Sequence, residues 1–132
     1  MRSYHLSVVT PDGLLFDGEA ESLLVRTDDG DVEILAGHMD YIASLGYGRA
    51  RIITGGVSRF AACSGGFLAV SGGEVKLVAT TFEFAEDIDL ERAKRAKENA
   101  ERAISSSKDA KEIDLARAKL KRALSRIGVK EM

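Results

Sequence analysis

Phe82-Glu83-Phe84-Ala85-Glu86-Asp87-Ile88-Asp89-Leu90-Glu91-Arg92-Ala93 is where the chain changes material. The first three residues end a run of alternating apolar and polar positions. The last five open a run with helical spacing. The composition changes at the same place. Of 132 residues, 13 are glycine, and 12 of those lie at or before Gly73. All eight aromatic side chains lie at or before Phe84. Residues 1–84 carry 6 basic and 11 acidic side chains, a net of −5, whereas residues 85–132 carry 13 and 10, a net of +3. The overall charge of −2 therefore hides two different halves. This split argues against one uniform fold and against a generally basic nucleic-acid binder. Two domains are expected, at 1–84 and 85–132.

Upstream of the boundary, short apolar runs are punctuated by glycine turns. Tyr4–Val9, Leu14–Phe16, Leu23–Arg26, Val32–Leu35, Arg49–Thr54, Val57–Cys63, Phe67–Val70 and Val75–Ala79 read as strands. Pro11-Asp12-Gly13, Asp17-Gly18, Gly55-Gly56 and Gly72-Gly73 read as turns between them. Gly55-Gly56 is a two-residue hairpin signal. Eight or more short strands with no helical period between them predict a sandwich or flattened barrel.

Downstream, Ala93, Ala96, Ala100 and Ala103 step by three and four, as do Ile113, Ala116, Leu120, Ala123 and Ile127. Each series makes one narrow helical stripe. Asp87 or Asp89 caps the first helix and Asp109 the second, with Ser105-Ser106-Ser107 as the break. Gly128 is expected to end the second helix. The two helices form an antiparallel hairpin. Its seam is mostly alanine, which allows close approach but removes little apolar area at about 25 cal/mol per Å². A weakly held hairpin follows, able to fold down or extend.

Catalytic signatures are sparse. No Gly-Lys pair exists for a phosphate-binding loop, and the two histidines, His5 and His38, stand 33 positions apart. No metal site is expected. Ser64-Gly65-Gly66 lacks the preceding glycine of a nucleophile elbow and suits a tight turn or close strand packing. The lone Cys63 reads as a buried reduced thiol, and with no apolar signal core at Met1–His5 a cytoplasmic setting is expected. No stretch reaches the ~18 apolar residues of a membrane span.

The helices do carry one suggestive charge pattern. Arg122 and Arg126 are one turn apart beside the Ala123 stripe, and Arg92 flanks the Ala93 stripe. In an antiparallel hairpin the start of one helix meets the end of the other, so these three guanidinium groups approach without a matching carboxylate cluster. A polyanion would relieve their repulsion. Asp89 could accept from an exocyclic amine.

Four segments resemble one family in order along the whole chain. Gly30–His38, Ser64–Val70, Ala85–Ala93 and Leu120–Arg126 are similar to stretches of the epsilon subunit of bacterial F-type ATP synthase. That resemblance implies an antiparallel β-sandwich of about ten strands followed by a two-helix hairpin. It implies a non-catalytic rotor subunit of the proton-transporting complex, held at the cytoplasmic face of the bacterial membrane only through that complex. The sandwich would bind the gamma subunit and the c-ring, with the loop near Asp31 and His38 facing the ring. The hairpin would extend toward the alpha and beta subunits and inhibit ATP hydrolysis. Some members bind regulatory ATP through Ile/Leu-Asp-x-x-Arg-Ala, present here as Ile88-Asp89-Leu90-Glu91-Arg92-Ala93. By the same resemblance Glu83, Ile88 and Asp89 would face adenine, and Arg92, Arg122 and Arg126 the phosphates. Asn99 stands where such members carry a further phosphate-binding arginine, which implies weaker or altered affinity. Ala36 and Met39-Asp40 depart from the family's proline-bearing pattern around Gly37-His38. From the residues alone, a free-standing nucleotide sensor is the competing function.

Overall fold

A computed structural model describes residues 2–132. Eight strands precede two helices: β1 (Tyr4–Thr10), β2 (Gly13–Ala20), β3 (Ser22–Thr27), β4 (Gly30–Leu35), β5 (Tyr41–Ser44), β6 (Tyr47–Thr54), β7 (Val57–Ser71), β8 (Glu74–Phe84), α1 (Leu90–Ser106) and α2 (Ala110–Lys130). A single 3₁₀ turn, Ala85–Asp87, joins β8 to the helices.

The strands close into two layers because β7 and β8 are long enough to serve both. The first part of β7 pairs with β6, and its second part, Phe67–Val70, pairs with β5. Likewise Val75–Val78 of β8 pair with β1, while Thr81–Phe84 pair only with β7. One layer is therefore β2-β1-β8-β7-β5, and the other is β4-β3-β6-β7-β8. The eight continuous strands take the place of the expected ten because these two are uninterrupted. The sheet is also not wholly antiparallel: β1 and β8 run parallel. They are joined through the whole sandwich, so no tight hairpin dictates their relative direction.

The crossover between layers depends on Ser64-Gly65-Gly66. Gly66 has φ +93°, and a Cβ there would sit 1.9 Å from the Val78 carbonyl oxygen. The pair therefore serves close strand packing inside one strand, where the sequence pattern suggests the end of one strand and the start of another. At Gly55-Gly56 both φ angles are positive (57° and 75°), as the two-residue turn of a right-twisted hairpin requires. Asp17-Gly18, expected as a turn, lies within β2, where Gly18 pairs opposite Leu6. β5, which the sequence pattern does not announce, is only four residues long and follows a loop with no strong turn signal.

Leu6, Val8, Leu23, Val25, Ile34, Ile52, Leu68 and Leu77 are fully buried between the layers. Tyr4 adds a polar anchor, donating its hydroxyl to the Ile34 carbonyl at 2.7 Å. Burial, with help from Glu33, raises the Tyr4 pKa, so the hydroxyl stays a donor. Cys63 is free and buried, and burial pushes its thiol up to about 12.

The helices fold back on each other through Ala93 and Ala100 of α1 and Ala116 and Ala123 of α2, all buried. Asp89 caps α1 by accepting from the Arg92 amide at 3.1 Å, and Asp109 caps α2 from the Lys111 amide at 2.9 Å. Gly128 does not end α2, which continues to Lys130. The last turn instead packs Val129 against Ile88 and Ala62, and that burial sustains the helix past the glycine.

Candidate functional site

The hairpin lies folded down on the outer face of the β6–β7 layer. Three polar contacts hold it there. Ser125 Oγ donates to the Gly48 carbonyl at 2.9 Å, Arg126 Nε to Glu83 Oε1 at 2.9 Å, and Lys130 Nζ to the Ala85 carbonyl at 3.0 Å. A small apolar cluster of Ala62, Ile88 and Val129 supports them, with Phe60 and Ala85 at its edge. The linking turn is fastened separately to the sandwich. Arg59 of β7 donates to Glu86 at 2.6 Å and stacks over the Phe84 ring at 3.8 Å.

Where sandwich, linking turn and α1 meet, a cavity of about 270 Å³ opens. Glu83, Asp87, Asp89, Arg92, Ala93 and Arg126 line it, with Ala96. Five residues singled out from the sequence therefore share one wall: Glu83, Asp89, Arg92, Ala93 and Arg126. Two others do not. Ile88 is buried beneath, packed on Ala62 and Val129, because its apolar side chain gains more from that cluster than from a charged cavity. Arg122 lines a neighbouring groove of about 560 Å³ between the helices, which also holds Asn99, Glu112, Leu115 and Lys119. Ala96 and Arg126 belong to both spaces, so cavity and groove adjoin.

The charge balance departs from the expected uncompensated arginine cluster. Arg126 has a carboxylate partner in Glu83, on a strand far away in sequence. Among the described residues Arg92, Arg122 and Lys119 form no ion pair. From the sequence Asp87 is named only as a possible helix cap, and Lys119 is not singled out. Asp87 lies inside the quoted boundary segment, but its direction is set by the 3₁₀ turn. Lys119 stands one turn before Arg122, so the helical step of three was the available signal.

Asp31 and His38 do not share a loop. Asp31 is the second residue of β4 and pairs with Arg26 across the strands at 2.9 Å, beside the groove under the end of α2. His38 lies past the other end of β4, with its ring edge-on to Tyr41. The strand between Asp31 and Leu35 alone separates them by about 13 Å. Asn99, in turn, accepts a hydrogen bond from the Arg102 guanidinium.

The outer face of the other layer is uncovered. Leu14, Val9, Val78 and Phe67 stand directly opposite one another in register across β2, β1, β8 and β7. Leu14 is 58% and Phe67 41% exposed, and Ile42 on the neighbouring β5 is 73% exposed. Among the described residues, no His, Cys, Asp and Glu side chains are grouped to hold a metal ion, and no helix is long and apolar enough to cross a membrane.

A two-layer sandwich with a helical hairpin laid on one face, and a charged cavity at their junction, defines a two-module class of small protein. Residues 3–85 match the family described as ATP synthase, Delta/Epsilon chain, beta-sandwich domain, and residues 86–131 match its long alpha-helix domain. The chain belongs to the ATP synthase delta/epsilon family. It is 40% identical to the ATP synthase epsilon chain of Bacillus velezensis over 98% of both chains. It is 39% identical to that of Ruminococcus albus over 98% of this chain and 97% of the relative. Among solved structures it is similar to a chain of the Euglena gracilis mitochondrial ATP synthase OSCP/F1/c-ring assembly, with a TM-score of 0.75 and 28% identity. That match covers 98% of this chain and 79% of the other. A chain from the Tetrahymena thermophila mitochondrial ATP synthase central stalk and c-ring shares the fold at a TM-score of 0.58.

Proposed function

We propose that this chain is a non-catalytic rotor subunit of an F-type ATP synthase whose helical hairpin senses ATP. Its sandwich docks on the gamma subunit and the c-ring, which keeps it at the cytoplasmic face of the membrane through the complex. Its hairpin, once released, reaches the alpha and beta subunits and restrains ATP hydrolysis. The likeness to epsilon chains and to a chain in a c-ring assembly supports the rotor role. The uncovered apolar row from Leu14 to Phe67 supports docking, because an exposed apolar stripe spanning four strands is costly without a partner.

The observation that carries the sensing role is the cavity at the junction of both modules. Glu83 comes from the sandwich, Asp87 from the linking turn, Asp89 and Arg92 from the start of α1, and Arg126 from the end of α2. These side chains converge only while the hairpin is folded down. A ligand that needs all of them stabilises that arrangement by RT ln(1 + [L]/Kd), about 2.7 kcal/mol at a hundred times Kd. Against an alanine seam, a gain of that size decides between folded and released forms.

ATP suits the site because Arg92 and Arg126 can meet phosphate oxygens while carboxylates at the other side accept from the adenine amine. Titration calorimetry of the full chain with ATP, repeated on Arg126→Ala, tests this. Binding lost in the variant is the expected result. No heat with the wild-type chain at millimolar ATP would overturn the sensing role and leave the subunit role standing.

A further inference from the structure

Lys119, Arg122 and Arg126 recur at steps of three and four, which puts them on one face of α2. All three line the groove between the helices. Over seven residues the helix advances about 10 Å, so the three cations form a track of that length. The opposite wall is Ala96, Asn99, Ala100 and Ala103 of α1, none of which carries a charge. Arg126 is held by Glu83, whereas Arg122 and Lys119 form no ion pair among the described residues. The one carboxylate along the groove, Glu112, lies two turns beyond Lys119 and accepts from Ser107 Oγ at 2.7 Å. Positive charge therefore runs from Arg126 to Lys119 and stops there.

The cavity with the amine-accepting carboxylates adjoins the Arg126 end of this track. A nucleotide whose base lies in the cavity would direct its phosphates along α2, the innermost beside Arg126 and the outermost beside Lys119. We propose that Lys119 is the contact for the terminal phosphate, and so the residue by which the site distinguishes a nucleoside triphosphate from a diphosphate. Asn99, on the facing helix, contributes no charge to this groove, and Lys119 supplies it from the other side. The assignment rests on the nucleotide-sensing role proposed above. A lysine ammonium suits this position, since a flexible point charge can follow a terminal phosphate that is anchored only at its inner end.

The test is calorimetry of the full chain with ATP and with ADP, at one fixed ionic strength, for the wild type, Lys119→Ala and Lys119→Arg. Lys119 is exposed, so helix content by circular dichroism should not change. The alanine variant is expected to bind ATP about tenfold more weakly, the loss of one charge-assisted hydrogen bond, with ADP changed by less than about twofold. The arginine variant should restore most of the ATP affinity. Unchanged ATP affinity in Lys119→Ala, or equal losses for ATP and ADP, would overturn the assignment. A wild-type chain that binds neither nucleotide would instead overturn the sensing role and this assignment with it.

Discussion

Glu83 and Arg126 lie 43 residues apart and meet at 2.9 Å, the sandwich carboxylate accepting from the helix guanidinium. Each is about one-third exposed, so the pair is only partly shielded from water. Removing one partner loses the attraction and strands the other charge at the junction. Glu83→Ala should loosen the hairpin by about 1 kcal/mol. Amide hydrogen exchange is the appropriate measurement. Protection over the last two turns of α2 should fall about fivefold while the β1–β8 amides are unchanged. Equal loss across both modules would point to global destabilisation.

Gly66 makes a sharper prediction. A methyl group there collides with the Val78 carbonyl oxygen, and φ +93° is strained for any residue with a Cβ. Gly66→Ala should cost about 3 kcal/mol or more, by strain and backbone displacement together. Gly55 is the control, because its φ is +57° and a methyl group there would meet nothing within 4 Å. Gly55→Ala should cost about 1 kcal/mol. Urea denaturation of both variants measures the difference, and similar midpoints would refute the close-packing explanation.

Two surface groups contribute pH dependence of opposite sign. His5 is raised above its ordinary 6.5, first by its hydrogen bond to Asp17 and then by the surrounding carboxylates. Its contribution to stability is full below 6.5 and disappears as pH rises through the higher folded value. Glu86 is lowered below 4.5, first by its hydrogen bond from Arg59. Its contribution is present above 4.5 and disappears as pH falls through the lower folded value. Proton NMR should place the His5 midpoint above 6.5, and Asp17→Asn should bring it back. A midpoint unmoved by that substitution would assign the shift to another group.

The uncovered layer predicts a separation of folding from assembly. Phe67 and Ile42 are exposed, so Phe67→Ser and Ile42→Ser should leave the unfolding free energy within about 0.5 kcal/mol of wild type. Binding to a gamma-containing subcomplex should weaken by about 2 kcal/mol or more for the Phe67 change, roughly thirtyfold. Surface plasmon resonance against that subcomplex measures it. Full binding by both variants would place the docking surface elsewhere.

Strands and helices were legible because each announces itself by period. The helical stripes of Ala93–Ala103 and Ile113–Ile127 and the glycine turns at residues 55–56 and 72–73 need no tertiary information. β5 and the continuity of β7 and β8 do need it. A four-residue strand has too few alternations to read, and a glycine pair that turns the chain at residues 55–56 and 72–73 can elsewhere let one strand pass close to another. The site was legible in membership and not in arrangement. Arg92 and Arg126 line one cavity as the antiparallel hairpin implies, but the Glu83 partner comes from the sandwich, which helical periodicity cannot see. Asp31 and His38 look adjacent along the chain, yet a strand pushes them to opposite ends. Gly128 had the spacing of a helix terminus, and the packing of Val129 on Ile88 and Ala62 carried the helix past it.

Because β7 belongs to both layers, one strand carries Ala62 beneath the helices and, five residues on, Phe67 on the opposite outer face. The two faces are thus bolted to a common rigid beam and cannot shift relative to each other without breaking the sheet. A partner on the Phe67 side would therefore keep its grip if the helices were released from the Ala62 side. Under the proposed function the sandwich would be a mounting bracket and the helices its lever.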